Sequence, residues 1–162
     1  MRLVVQRVRR ASVRVRGEIV GEIGPGAAVL VGVSRTDTPQ VVTRMAEKLL
    51  GLRYFEDAHG LTNLDLAGTR GELLLVSQFT LYADVRRGRR PGFTDAALPD
   101  EAAPLVDLFV DRLRAAGATV ATGRFGARME VELVNDGPFT LVLDSDRDLG
   151  PDKGTGAGAV AL

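Results

Sequence analysis

The stretch Glu72-Leu73-Leu74-Leu75-Val76-Ser77-Gln78-Phe79-Thr80-Leu81 constrains this chain more than any other. Leu73 to Val76 are an unbroken apolar run, resumed by Phe79 and Leu81, and such a run reads as a strand buried on both faces. Ser77, Gln78 and Thr80 stand in the same strand, although a core normally excludes hydrogen-bonding side chains. Burying a hydroxyl or amide without a partner costs about 1–3 kcal/mol. The three residues therefore call for compensation, either from neighbouring backbone or from a ligand.

A chain of 162 residues, 45% hydrophobic and 26% charged, is long enough for one buried core and short for two. The formal net charge is zero, so no global field draws it to nucleic acid or membrane, and any basic surface must be local. Cysteine is absent, which excludes disulfides, thiolate metal sites and a cysteine nucleophile. No apolar run approaches the ~20 residues of a membrane span. Met1-Arg2-Leu3-Val4-Val5-Gln6-Arg7 acquires charge too early for a signal peptide, so a cytoplasmic protein is expected.

Residues 2–9 and Ser12 to Arg16 read as two strands, followed by Ile19 to Ile23 and the wholly apolar Ala27 to Val33. Strands at hairpin spacing predict a curled, largely antiparallel sheet. Thr38 as N-cap, Pro39 at the first helical position and Gly51 as a stop predict a helix whose Val42, Met45 and Leu49 cover the sheet. A second helix is expected from about Glu101 to Ala116, with Pro104 in its first turn, and a short strand over Leu52 to Phe55. Ala118 to Thr122, Arg128 to Val134 and Phe139 to Leu143 complete the strands. The fold class is thus α+β: a barrel-like sheet flanked by two main helices, in one domain over 1–144, with residues 145–162 a flexible Gly- and Asp-rich tail.

Several chemistries fall away. His59 is the only histidine and stands in a Gly-containing turn, a poor place for a catalytic triad. The acidic residues lack metal-ligand spacing, and no Gly-rich loop opens a helix, so neither a metal nor a cofactor is called for. Two local features remain. Arg86-Arg87-Gly88-Arg89-Arg90 is either a solvated loop or a phosphate grip, since guanidinium forks match phosphate oxygens. Asn135-Asp136-Gly137-Pro138 carries the Asp-Gly hairpin signal, yet a proline after the glycine is awkward in a tight hairpin. The Gly-Pro bond can be cis at modest cost, which would aim two carbonyls the same way.

Taken together, Met1 to Val8, Ser77-Gln78-Phe79-Thr80-Leu81, Gly88-Arg89-Arg90-Pro91 with Phe93-Thr94, Gly123-Arg124-Phe125-Gly126 and Asn135-Asp136-Gly137-Pro138 resemble the D-aminoacyl-tRNA deacylase family, in register from Met1 to about Asp144. The resemblance implies a homodimer that hydrolyses the ester between a D-amino acid, or glycine, and the 3′ adenosine of tRNA. It implies a cis Gly137-Pro138 that enters the partner subunit's pocket, where its carbonyls exclude an L side chain. It further implies that Phe125 and Met129 line the adenosine or aminoacyl pocket and that Arg7 helps hold the Gly-Pro segment.

A developing oxyanion is expected to rest on a backbone N–H near Phe79 with the Ser77 hydroxyl or Gln78 amide, at about 3 kcal/mol per well-placed donor. Thr80 is the side-chain nucleophile by chemistry but lacks a base, so water assisted by the substrate ribose 2′-hydroxyl is the expected attacker. Two alternatives stand beside this reading. Another tRNA-ester hydrolase would use His59, and a non-catalytic dimeric RNA-binding protein would use Arg86, Arg87, Arg89 and Arg90 alone.

Overall fold

The computed structural model describes residues 1–150. Its strands are β1 (Arg2–Val15), β2 (Glu18–Ile23), β3 (Gly26–Gly32), β4 (Phe55–Glu56), β5 (Thr62–Leu64), β6 (Glu72–Ser77), β7 (Thr119–Thr122) and β8 (Glu130–Asp144). Two long helices, α1 (Pro39–Gly51) and α3 (Pro99–Ala115), and two single turns, α2 (Leu66–Thr69) and α4 (Ser145–Asp148), join them.

The apolar run is an internal strand of the sheet. β6 lies between β3 and β7, and its side chains alternate between two cores. Leu73 and Leu75 pack beneath α1 and α3, against Met45, Leu49, Phe109 and Leu113. Leu74 and Val76 face inward, against Val13, Ile23 and Ala28. All four are buried, as an unbroken apolar strand predicts.

The sheet is mixed rather than largely antiparallel. β6 runs parallel to β3 and to β7, and each parallel pair needs a crossover, which the segments containing α1 and α3 provide. Local sequence marks those helices without revealing that they return the chain to a parallel position. The antiparallel part is built on β1. β8 follows it from Arg2 to Arg14, while β3 pairs with its first half and β2 with its last five residues. The backbone oxygen of Thr122 lies 2.6 Å from where a side chain on Gly21 would begin, so β2 closes on β7 and the sheet is nearly a barrel.

Two expected pairs of strands are single strands. Residues 2–9 and 12–15 form the one strand β1, with Arg16 in the turn after it, and the alternation lapses at exposed Arg9 and Arg10 as the buried side chains pass from the helix-covered core to the barrel interior. Likewise 128–134, from Glu130 onward, and 139–143 belong to β8. They cannot form a hairpin with each other because β1 occupies both ladders, with Val134 opposite Arg10 and Thr140 opposite Gln6.

Helix α1 begins and ends as its signals predict, with Thr38 Oγ1 accepting the Val41 N–H at 3.3 Å. Helix α3 starts earlier than expected, with Pro99 rather than Pro104 in the first turn. The short strand expected over Leu52 to Phe55 is only Phe55–Glu56, paired with Thr62–Leu64. Within the expected tail, Ser145–Asp148 is a helical turn, and buried Ser145 accepts the Met1 ammonium on its hydroxyl at 2.6 Å. The remainder of that expectation, residues 151–162, lies outside the described residues.

Candidate active site

β6 stops at Ser77, and Phe79–Tyr82 is a 3-10 turn. The polar residues therefore do not stand inside a buried strand. Ser77 and Gln78 are half-buried at its end, while Phe79 and Thr80 are exposed on the turn. The chain leaves the sheet after the Gln78 N–H meets the Val31 carbonyl at 2.7 Å, which ends the ladder with β3. None of the Ser77, Gln78 and Thr80 side chains is forced into the core, so the burial cost expected for these groups does not arise.

At this strand end a cavity of about 520 Å³ opens. Val76, Ser77, Gln78 and Phe79 form one wall, and Val31, Val33 and Arg35, from β3 and the segment after it, form another. Phe93 and Ala96 to Pro99, with Ala102 and Val106 of α3, close it. Phe125, Met129 and Val131, between β7 and the start of β8, complete it. The structure thus brings together Ser77, Gln78, Phe79, Phe125 and Met129. Thr80 is not part of the lining, and its hydroxyl accepts the Gln78 side-chain amide.

Among the described residues Arg35 is the one ionisable side chain lining this cavity, and a guanidinium cannot accept a proton. His59 is exposed in the β4–β5 turn, where the Asp57 carboxylate accepts its backbone N–H at 2.9 Å. The His59 and Leu61 N–H groups hold the Asp57 carboxyl below the usual carboxylate range.

The arginine loop adjoins the cavity. Backbone bonds between Asp84 and Gly92, at 2.7 and 2.9 Å, close its base, and Phe93 beyond it meets Phe79 edge-on at 5.0 Å between centroids. Arg86 folds onto Asp84 with contacts of 2.8 Å and holds that carboxyl well below its ordinary range. Arg87, Arg89 and Arg90 are exposed and make no ion pair among the described residues.

Arg7, Gly137 and Pro138 gather elsewhere. Val8 pairs with Asn135 and Gln6 with Thr140, so residues 136–139 bulge opposite Arg7 alone. The Gly137–Pro138 bond is cis, as the resemblance implies, and both residues are exposed. Arg7 is 4% exposed and ties this bulge down. Its Nε donates to the Asp136 carbonyl at 3.1 Å and Nη1 to the Tyr54 carbonyl at 2.9 Å, and the guanidinium lies 4.6 Å from the Phe139 ring centroid. From the other side the Asn135 amide donates to the Arg7 and Phe139 carbonyls at 2.7 and 3.2 Å. None of these residues lines the 520 Å³ cavity of the same chain.

Sequence reasoning missed Arg35 and the wall from Ala96 to Val106. Nothing in their spacing ties them to Ser77; the site forms only when the loop before α3 folds over the end of β3, where the Ala97 N–H meets the Val33 carbonyl at 3.0 Å.

A family model described as D-Tyr-tRNA(Tyr) deacylase matches residues 4–144. A D-aminoacyl-tRNA deacylase of Symbiobacterium thermophilum is 58% identical over 147 residues, covering 91% of this chain and 97% of that protein. One from Chloroflexus aurantiacus is 59% identical over 145 residues, covering 90% and 91%. Among solved structures, one titled c-Myc DNA Unwinding Element Binding Protein superposes with a TM-score of 0.85 at 41% identity, covering 89% of this chain and 98% of that one. A probable eukaryotic D-amino acid tRNA deacylase shares the fold, with a TM-score of 0.74 at 21% identity and coverage of 88% and 97%.

Proposed function

The chain belongs to the D-Tyr-tRNA(Tyr) deacylase family, and from that premise we propose that it hydrolyses the ester between a D-amino acid and the 3′ adenosine of tRNA by positioning and backbone electrostatics. The observation that carries the mechanism is the cavity: it has hydrogen-bond donors at Ser77, Gln78 and Phe79 and, among the described residues, no side chain that takes up a proton. As the carbonyl becomes tetrahedral, the backbone N–H near Phe79 and the Ser77 hydroxyl or Gln78 amide receive the charge on its oxygen. The attacking water loses its proton with help from the ribose 2′-hydroxyl of the substrate. Thr80, engaged with Gln78, positions rather than attacks. Phe125 and Met129 hold the adenosine or aminoacyl group in the same cavity.

Chirality is set by a second subunit. The exposed bulge at Gly137 and Pro138 stands away from its own cavity and enters that of the partner, where it leaves no room for an L side chain. Glycine escapes this device, so glycyl-tRNA is also a substrate. Arg87, Arg89 and Arg90, with Arg86 braced on Asp84, meet phosphates of the tRNA end. No helix among the described residues is long and apolar enough to cross a membrane, and a tRNA substrate fits the cytoplasm.

The test uses D-tyrosyl-tRNA with a ribo or a 2′-deoxy terminal adenosine. Wild type and Thr80→Ala are both expected to turn over the ribo substrate, and wild type to lose about 100-fold or more on the deoxy substrate. Full activity on the deoxy substrate contradicts the mechanism. Salt-sensitive binding without hydrolysis of either substrate supports the RNA-binding alternative instead.

A further inference from the structure

The turn that carries Phe79 and Thr80 is four residues long, and its internal bonds do not tie it to the sheet. The Leu81 N–H meets the Gln78 carbonyl at 3.2 Å and the Ala83 N–H meets the Thr80 carbonyl at 3.0 Å, bonds that join the turn only to the residues flanking it, of which Gln78 is held to β3 at the near end. A charged tie from outside comes from the first residue of β1. Arg2 Nη1 donates to the Leu81 carbonyl at 3.1 Å, and the guanidinium lies over the Tyr82 ring at 4.5 Å from its centroid. Arg2 is itself fixed, with Nε on Asp144 Oδ2 at 2.7 Å. Asp144 caps α4, accepting the Asp146 N–H on its other oxygen at 3.1 Å. The guanidinium therefore spans from the joined ends of β1 and β8 to the far end of the turn, with its two ends held by different elements.

We propose that Arg2 is a positioning residue for the deacylase site: anchored on Asp144, it sets the Phe79–Tyr82 turn through the Leu81 carbonyl and the Tyr82 ring. The inference rests on the reading above, in which this turn helps bind the ester carbonyl. Arg2 does not line the cavity, so it acts on the substrate only through the turn. A donor near Phe79 stabilises the transition state only if it is already in place, and displacement by about 1 Å costs on the order of 100-fold in rate. A lysine carries the charge but has neither the plane that stacks on Tyr82 nor the fork that serves Asp144 and Leu81 together.

The experiment compares wild type, Arg2→Ala and Arg2→Lys in steady-state hydrolysis of D-tyrosyl-tRNA, with thermal melting and amide hydrogen exchange on the same samples. Arg2→Ala is expected to lower kcat by about 10- to 100-fold with KM close to wild type. Melting should change little, because the Arg2 side chain is 39% exposed and such pairs add little to stability. Arg2→Lys should fall between, and exchange at Leu81 and Tyr82 should quicken in Arg2→Ala. Wild-type kcat in Arg2→Ala overturns the proposal, whether accompanied by a lower melting temperature, which marks a purely structural role, or by a raised and salt-sensitive KM, which marks a phosphate contact. If wild type itself leaves the ester intact, the deacylase reading fails. Unchanged exchange at Leu81 and Tyr82 then also overturns the role given to Arg2.

Discussion

Arg7→Ala is expected to destabilise the protein by about 3 kcal/mol and to reduce its discrimination between D- and L-aminoacyl esters by about tenfold or more. The Arg7 side chain is 5% exposed, so truncation leaves a space in the structure and strips the Tyr54 carbonyl of its charged donor. The same change releases the Asp136 carbonyl and removes the cation from the Phe139 ring. Those contacts, with the Asn135 amide, hold residues 136–139 in one place, so the variant keeps the bulge but loosens it. Arg7→Lys should recover only part of the loss, since an ammonium cannot reach Asp136 and Tyr54 with the geometry of a fork. Denaturant titration reads the first effect, and hydrolysis of paired D- and L-tyrosyl-tRNA reads the second. Wild-type stability with an unchanged D-to-L ratio would contradict the role assigned to Arg7.

Gly26→Ala should be the more damaging substitution for the fold. A Cβ at Gly26 would lie 1.9 Å from the Glu72 carbonyl oxygen and 2.5 Å from the Glu72 nitrogen, both backbone atoms that no rotamer change can move aside. Gly26 also pairs with Val8 on its other side, so β3 cannot shift away without opening its ladder with β1. The start of the β3–β6 pair must come apart, at about 4 kcal/mol or more. That corresponds to a melting temperature lower by roughly 10 °C in a chain of this size. Gly24→Ala is the control: its Cβ would meet only the end of the Glu72 side chain, at 3.6 Å, and should leave stability nearly unchanged. Equal melting of both variants and wild type would show that the pairing of β3 with β6 is looser than described.

What was legible in the sequence was legible for local reasons. Thr38, Pro39 and Gly51 bound α1 by their own backbone chemistry, and Leu73 to Val76 had to be buried on both faces because no polar residue interrupts them. Phe79 and Leu81 extended that pattern past the true end of β6, since an apolar residue on a 3-10 turn at a cavity mouth cannot be told from one in a strand. Parallel pairing was not legible either, because β6 presents the same residues whichever way its neighbours run. The Asp136-Gly137 signal was ambiguous for a related reason: whether it turns a hairpin or bulges depends on β1, more than a hundred residues earlier in the chain, which already pairs with both flanking segments. The motif residues Ser77, Gln78, Phe79, Phe125 and Met129 do converge, yet Arg35 carries no pattern that marks it before folding.

The central claim is chirality-selective ester hydrolysis, and one measurement meets it directly: deacylation of matched D-tyrosyl- and L-tyrosyl-tRNA by the wild-type protein, in one assay and at one salt concentration. Rapid loss of the D-ester with the L-ester spared is the expected result. Hydrolysis of both at the same rate, or of neither, would contradict it.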